Sequence, residues 1–218
     1  MRDQIIKKIL DEKVIAIVRG IYGDECLKLA EALHRGGVNL MEVTFDQKSQ
    51  AERERTVETI LVLNEKLGDC MAFGAGTVTS VEMVNMAVAA GCKFIVSPDT
   101  NKDVIKATVD NDMVSIPGAL TPTEIMQAHL AGADFIKVFP ASDMGVKYIK
   151  SISAPLSQVR MLAVGGVGSD NIKDYLAAGA VGTGVAGCLF KKEWVKAGEW
   201  GRISTATKAF MDIINNAD

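Results

Sequence analysis

Apolar and polar positions along this chain follow two periods that take turns. Apolar residues three and four apart, as on one face of a helix, predict helices over 3–11, 23–35, 49–67, 79–90, 101–110, 121–131, 145–152, 169–178 and 202–215. Between them, short runs rich in Val, Ile and Phe predict strands over 14–19, 39–44, 71–76, 93–97, 113–116, 134–139, 160–164 and 180–185. Four times a helical run ends in glycine and leads within a few residues into an apolar run: ALHRGGVNLMEVTF, MAVAAGCKFIVSP, AHLAGADFIKVFP and YLAAGAVGTGV. Glycine just past a helix end supplies a left-handed cap, so each copy reads as helix, tight turn, strand. Repeated units of this kind imply a parallel sheet. Eight of them fit a closed (β/α)₈ barrel, a single domain over residues 1–218 with an extra N-terminal helix. An open doubly wound sheet is the alternative arrangement of the same units.

Composition narrows the function. Against 24 basic residues stand 27 acidic ones, for a net charge of -3, and no basic run tracks a phosphate backbone, so nucleic acid is not an expected partner. The opening MRDQIIKKILDEK mixes charge into its apolar residues as an amphipathic helix does, unlike a signal peptide. The longest nearly apolar stretch, Gly179 to Phe190, is too short and too glycine-rich to cross a bilayer, so no membrane partner and a cytoplasmic location are expected. Cys26, Cys70, Cys92 and Cys188 are scattered singly, which reads as reduced, packed thiols. His34 and His129 fall in the last turns of predicted helices, without the spacing of a zinc site, and no metal is expected.

Barrel sites lie where strands end, which turns sequence position into site position. In FIKVF, alternation puts Phe135, Lys137 and Phe139 on one face. An ammonium there loses its hydration, and either a carboxylate partner or release of the proton to give a nucleophilic amine answers that cost. Glu42, in LMEVT, shares a face with Leu40 and Thr44 and is the carboxylate expected in the same interior, while Met41, Val43 and Phe45 face the helices. The two form either a structural ion pair or a nucleophile with its proton shuttle. Arg19 closes VIAIVRG, to reach solvent or to hold Glu42 or a substrate carboxylate. Thr77 after GAG can cap the next helix, the simpler role, or donate to substrate, and Pro98 first of all stiffens the rim. Gly165 and Gly166, followed by Ser169 and Asp170 as helix caps, and then Gly184 and Gly187, lie in the two loops where barrels commonly bind phosphate. Tight turns are the alternative reading of these glycines.

Taken in order, LMEVTF, FGAGTV, FIVSPDTN, SIPGALTPTE, FIKVFPA and VGGV resemble the 2-keto-3-deoxy-6-phosphogluconate and 4-hydroxy-2-oxoglutarate aldolases, from about Ile5 to about Phe190. The resemblance implies a class I aldolase, usually trimeric, that cleaves a phosphorylated 2-keto-3-deoxy sugar acid to pyruvate and glyceraldehyde 3-phosphate without a metal or other cofactor. It implies Lys137 as the Schiff-base lysine and Glu42 as the general acid/base, with Thr77 on the pyruvate carboxylate, Phe139 against the lysine, and Gly165 and Gly166 on the phosphate. Arg19, Pro98, Gly184 and Gly187 complete the expected substrate-binding set. Three residues depart from the pattern: Asp46 stands where many members have Arg, Val164 where Thr is common, and Gly187 where Ser often adds a hydroxyl. These departures bear on which acid is cleaved. Other functions open to the residues themselves are a phosphate-binding isomerase or epimerase using Lys137 and Glu42 without a covalent step, and a binding protein on a barrel that has lost activity.

Overall fold

The computed structural model describes residues 1–216. After helix α1 (Arg2–Glu12) the chain alternates strand and helix: β1 (Val14–Val18), α2 (Gly23–Arg35), β2 (Leu40–Thr44), α3 (Gln50–Leu67), β3 (Ala72–Gly76), α4 (Val81–Ala89), β4 (Phe94–Val96), α5 (Lys102–Asp110). It continues with β5 (Val114–Ile116), β6 (Gly118–Ala119), α6 (Pro122–Leu130), β7 (Ile136–Val138), α7 (Ala141–Met144), α8 (Val146–Ser153), β8 (Met161–Val164), α9 (Ile172–Ala177), β9 (Gly182–Val185), α10 (Lys192–Lys196) and α11 (Trp200–Asn215). All strand pairings are parallel, in the order β5-β4-β3-β2-β1-β9-β8-β7-β6.

The expected eight strands become nine because the fifth is split. Pro117 has no N–H for the ladder, so β5 pairs with β4 while β6 pairs with β7. The two ends of the sheet are thus consecutive in the chain. The Ser115 carbonyl accepts from the N–H groups of Asp134 and Phe135, and the Pro117 carbonyl from that of Lys137, which draws the ends together into a barrel.

The repeated glycine turn is a true device. Gly37, Gly91, Gly132 and Gly179 all have left-handed φ, from 75° to 107°. The next residue in each copy donates back five positions, Val38 to Leu33, Cys92 to Ala87, Ala133 to Ala128 and Ala180 to Tyr175, which closes the helix end and aims the chain into the following strand. The TPTE segment behaves as a capping box with Pro122 at the first turn.

Two apolar layers result. Inside the barrel Ile15, Leu40, Ala72, Phe94, Val96, Val114, Ile116, Phe135, Leu162 and Val164 pack together, and Ile9 of α1 is buried against them. Outside it, Met41, Val43 and Phe45 pack between sheet and helices, as alternation requires. Arg2 fastens α1 to the barrel through Asp134, at 2.8 and 3.0 Å, and Asp134 also accepts from the Ser115 N–H. Helices α7 and α10 were not expected from the sequence, whereas the helix expected over 145–152 is α8 to within a residue. The helix expected over 169–178 starts only at Ile172, so Ser169 and Asp170 are not its caps.

Candidate active site

At the C-terminal end of the barrel a cleft of about 760 Å³ is lined by Arg19, Glu42, Thr77, Pro98, Lys137, Phe139, Gly165, Gly166, Gly184 and Gly187. Every residue expected at the mouth meets there. The reason is topological: parallel strands bring all their C-terminal ends to one rim, however far apart they lie in sequence.

Lys137 is the central residue of β7 and Glu42 of β2, and both point inward, 9 % and 3 % exposed. Beneath them lies an apolar floor that includes Ile15, Ile17, Val96, Ile116, Leu162 and Val164. The Lys137 ammonium stands 5.0 Å from the centre of the Phe139 ring, which is itself half-exposed at the rim. Burial pushes the Glu42 carboxyl above the ordinary carboxylate range, and the charges of Lys137 and then Arg19 pull it back only in part. Among the described residues no ion pair joins Glu42 to either cation. A contact ion pair is therefore not what holds these two residues; they face the same space across a gap.

Gly76 makes that arrangement sterically allowed. A methyl on it would stand 2.4 Å from Glu42 Oε1, so the last residue of β3 is the bed on which the carboxylate lies. Beyond it Thr77 takes a left-handed φ of 58°, unusual for a β-branched residue. Gln47 Nε2 donates to its carbonyl at 2.7 Å, and Gln47 Oε1 accepts from the Thr79 hydroxyl at 2.8 Å, which braces the turn. The Thr77 hydroxyl accepts from Arg19 Nη2 at 3.2 Å. It caps nothing: Ser80 is the N-cap of α4, against the simpler expectation for Thr77.

Asp46 turns away from the chemistry. Its Oδ1 accepts from the N–H groups of Lys48 and Ser49, both at 2.8 Å, and these bonds hold the carboxyl below its usual range. On the opposite rim Gly165 and Gly166 both have left-handed φ, 93° and 68°, and a methyl on Gly166 would collide with Ser142. Next to them the chain makes a helical turn in which the Ala186 carbonyl accepts from the N–H groups of Leu189 and Phe190, and Gly187 has open space around it. The residues that sequence reasoning passes over are Gln47 and Asn171, polar side chains that bond to loop backbone, and Gly76 in its role as a space-maker. Asn171 was the legible one, being itself an N-cap residue type beside Ser169 and Asp170.

All four cysteines are free. Burial pushes the thiols of Cys26 and Cys92 up to about 12 and that of Cys188, on the cleft wall, to about 11, so none of these three is a ready nucleophile at neutral pH. His34 and His129 sit in the last turns of α2 and α6, away from the rim. Trp194 and Trp200 pack against the outer core, with Arg202 4.2 Å over the Trp194 ring.

Fold and site together define a (β/α)₈ barrel with one buried Lys–Glu pair at its mouth and a glycine-lined recess beside it. The aldolase family described as KDPG and KHG aldolase matches residues 5–206, and the chain belongs to that family. It is 30 % identical over 212 residues, 97 % of each chain, to a 2-dehydro-3-deoxy-phosphogluconate aldolase of Haemophilus influenzae. To the 2-dehydro-3-deoxy-6-phosphogalactonate aldolase of Escherichia coli K12 it is 35 % identical over 179 residues, 82 % of this chain and 84 % of the other. The solved KDPG aldolase of Legionella pneumophila, with pyruvate captured as a covalent carbinolamine, superposes with a TM-score of 0.83 at 27 % identity, over 94 % of this chain and 97 % of that one.

Proposed function

We propose that this chain is a class I aldolase that cleaves a 2-keto-3-deoxy-6-phospho sugar acid, with the gluconate or galactonate skeleton, to pyruvate and glyceraldehyde 3-phosphate. The observation that carries the reading is the buried Lys137–Glu42 pair, lining one cleft with no ion pair between the two, in a chain of this family. The unprotonated amine of Lys137 adds to the keto carbon to give a carbinolamine, whose hydroxyl takes a proton from Glu42 and leaves as water, giving an iminium and the Glu42 carboxylate. Glu42 takes the proton of the hydroxyl on C4; the C3–C4 bond breaks, its electron pair passes into the iminium to give an enamine, and the aldehyde leaves. Glu42 then returns the proton to C3, and water hydrolyses the new iminium to pyruvate and the free amine of Lys137, the proton released going back to Glu42. The iminium is the electron sink, so the scheme calls for no metal ion or cofactor.

The remaining lining residues bind. Arg19 and the Thr77 hydroxyl take the keto-acid carboxylate, whose usual Arg partner is Asp46 here. Phe139 and Pro98 bound the carbon chain. The backbone around Gly165, Gly166, Gly184 and Gly187 takes the phosphate, without a Ser hydroxyl at 187. The same reading makes the protein a homotrimer working in the cytoplasm. In keeping with the latter, its thiols are free, and among the described residues no helix is long and apolar enough to cross a membrane.

Sodium borohydride with pyruvate tests the mechanism. An irreversible adduct on Lys137, located by peptide mass, is expected in the native chain and absent in Lys137→Ala. Turnover of the keto acid with no trappable adduct, or an adduct that persists in Lys137→Ala, refutes the Schiff-base assignment.

A further inference from the structure

Asn171 stands at the N-cap of α9, where an Asn side chain ordinarily accepts from an N–H of the first helical turn, yet it makes no such bond. It reaches back instead across the loop that follows β8. Its Nδ2 donates to the Gly166 carbonyl at 3.0 Å, and its Oδ1 accepts from the Gly168 N–H at 3.0 Å. One amide side chain thus spans residues 166–168.

The pattern of what is bonded and what is left over points to an anion. The Gly165 carbonyl is held by the Ser142 N–H at 3.0 Å, so both carbonyls of the diglycine are engaged by donors of the protein. Among the described residues no protein acceptor takes the N–H of Gly166 or of Val167, and both residues line the cleft. Carbonyl oxygens repel a phosphoryl group and N–H groups attract it, so pinning the first and leaving the second unspent sets the loop for an anion. Two adjacent left-handed glycines have no side chains of their own to hold that geometry. Asp170 also brings a carboxylate to the same cleft, which makes accurate presentation of the amides matter more.

We infer that Asn171 is the positioning residue of the phosphate subsite: it fixes the 165–168 backbone so that its amides meet the phosphoryl group, and it does not touch the reacting atoms. The inference rests on the phosphate reading of this loop given under the proposed function. A capping role is excluded by the bonds themselves, since α9 loses no cap when Asn171 is replaced.

The test uses the full chain and whichever isomer of the phosphorylated keto acid it cleaves. In Asn171→Ala, KM for that substrate is expected to rise by about tenfold, the loss of one to two hydrogen bonds, and inhibition by inorganic phosphate to weaken by the same factor. The value of kcat should stay within about twofold and the half-saturation of borohydride trapping by pyruvate should not move, because the amides act on binding of the phosphoryl group alone. Asn171→Asp keeps the acceptor for Gly168 and sets a carboxylate against the Gly166 carbonyl. It is expected to lose at least as much, and as a near-isostere it carries the comparison if the Ala variant does not fold. Unchanged KM and phosphate inhibition in the folded variant overturn the inference. So does an equal shift in pyruvate half-saturation, which would mean a general disturbance of the mouth. A native chain that neither prefers the phosphorylated substrate to its dephosphorylated form nor responds to phosphate would instead refute the phosphate reading, and this inference with it.

Discussion

Glu42 carries two opposed physical demands. Its carboxylate is buried on Gly76, so the charged form is costly, while Lys137 and Arg19 favour that form; burial is the larger influence. The sign for stability follows. A carboxyl whose value in the folded chain lies above that of the unfolded chain keeps a proton that the unfolded chain has released, so stability falls as pH rises through the window between them. Glu42→Gln, which abolishes the charge at nearly constant shape, should therefore melt above the native protein at pH 7, with the gap closing below about pH 4, near the unfolded carboxylate value. The same variant should lose roughly 10²- to 10⁴-fold in kcat, as expected for removal of a general acid/base. It should also lose the acid limb of the kcat/KM profile. A variant that melts lower at pH 7 would show that the carboxylate is held mainly by its cations. At this scale the sequence was informative wherever a residue clashed with its neighbours, as Lys137 and Glu42 do in apolar strands. It was silent where the role is to leave space or to brace backbone, as at Gly76 and Gln47, because such roles depend on atoms distant in the chain, and at Asn171 it offered the residue type of a cap but not the loop bonds the side chain makes instead.

Among the elements, α1 does work that its position before the barrel does not advertise. Ile9 is fully buried against the interior cluster, with Ile5, Ile6 and Leu10 packed beside it, so the helix serves as part of the barrel's core. Ile9→Ala is expected to cost about 2–5 kcal/mol in urea unfolding, the range for a buried Ile cut to Ala. Pyruvate trapping by Lys137 should be unaffected, since β7 lines the cleft from its C-terminal end. A loss under about 1 kcal/mol, or a loss of trapping in the folded variant, would contradict this part of α1 in the core. The sequence predicted the helices of α2, α3 and α5 to within a residue because their ends are marked by Gly, Ser or Asn, and that of α1 to within a residue from its apolar periodicity alone. It could not show that Pro117 divides a strand, because a missing ladder donor matters only once the neighbouring strands are known. Nor could it place the start of α9, where three cap-forming residues follow one another and only the loop's own bonds choose among them.

For the whole molecule, the proposed homotrimer has a direct check: light scattering should give three times the 23.3 kDa chain mass, and a monomer or dimer at all working concentrations would refute it. Leu61 and Val62 of α3 and Val81 and Val88 of α4 leave apolar side chains exposed on helices that pack together, surface of the kind a closed ring of subunits covers. Taken by itself, the sequence determined the repeated helix–turn–strand unit, hence a parallel sheet with all its C-terminal strand ends on one side and the closed barrel as the expected form, because local periodicity and glycine caps are properties of neighbouring residues. It also determined which side chains are chemically out of place. The tertiary structure alone decided that Glu42 and Lys137 face each other across a gap with no ion pair, that Thr77 meets Arg19 and caps no helix, and that Asn171 binds the glycine loop. Those outcomes are distances between strands and loops far apart in the chain, and only closure of the barrel sets them.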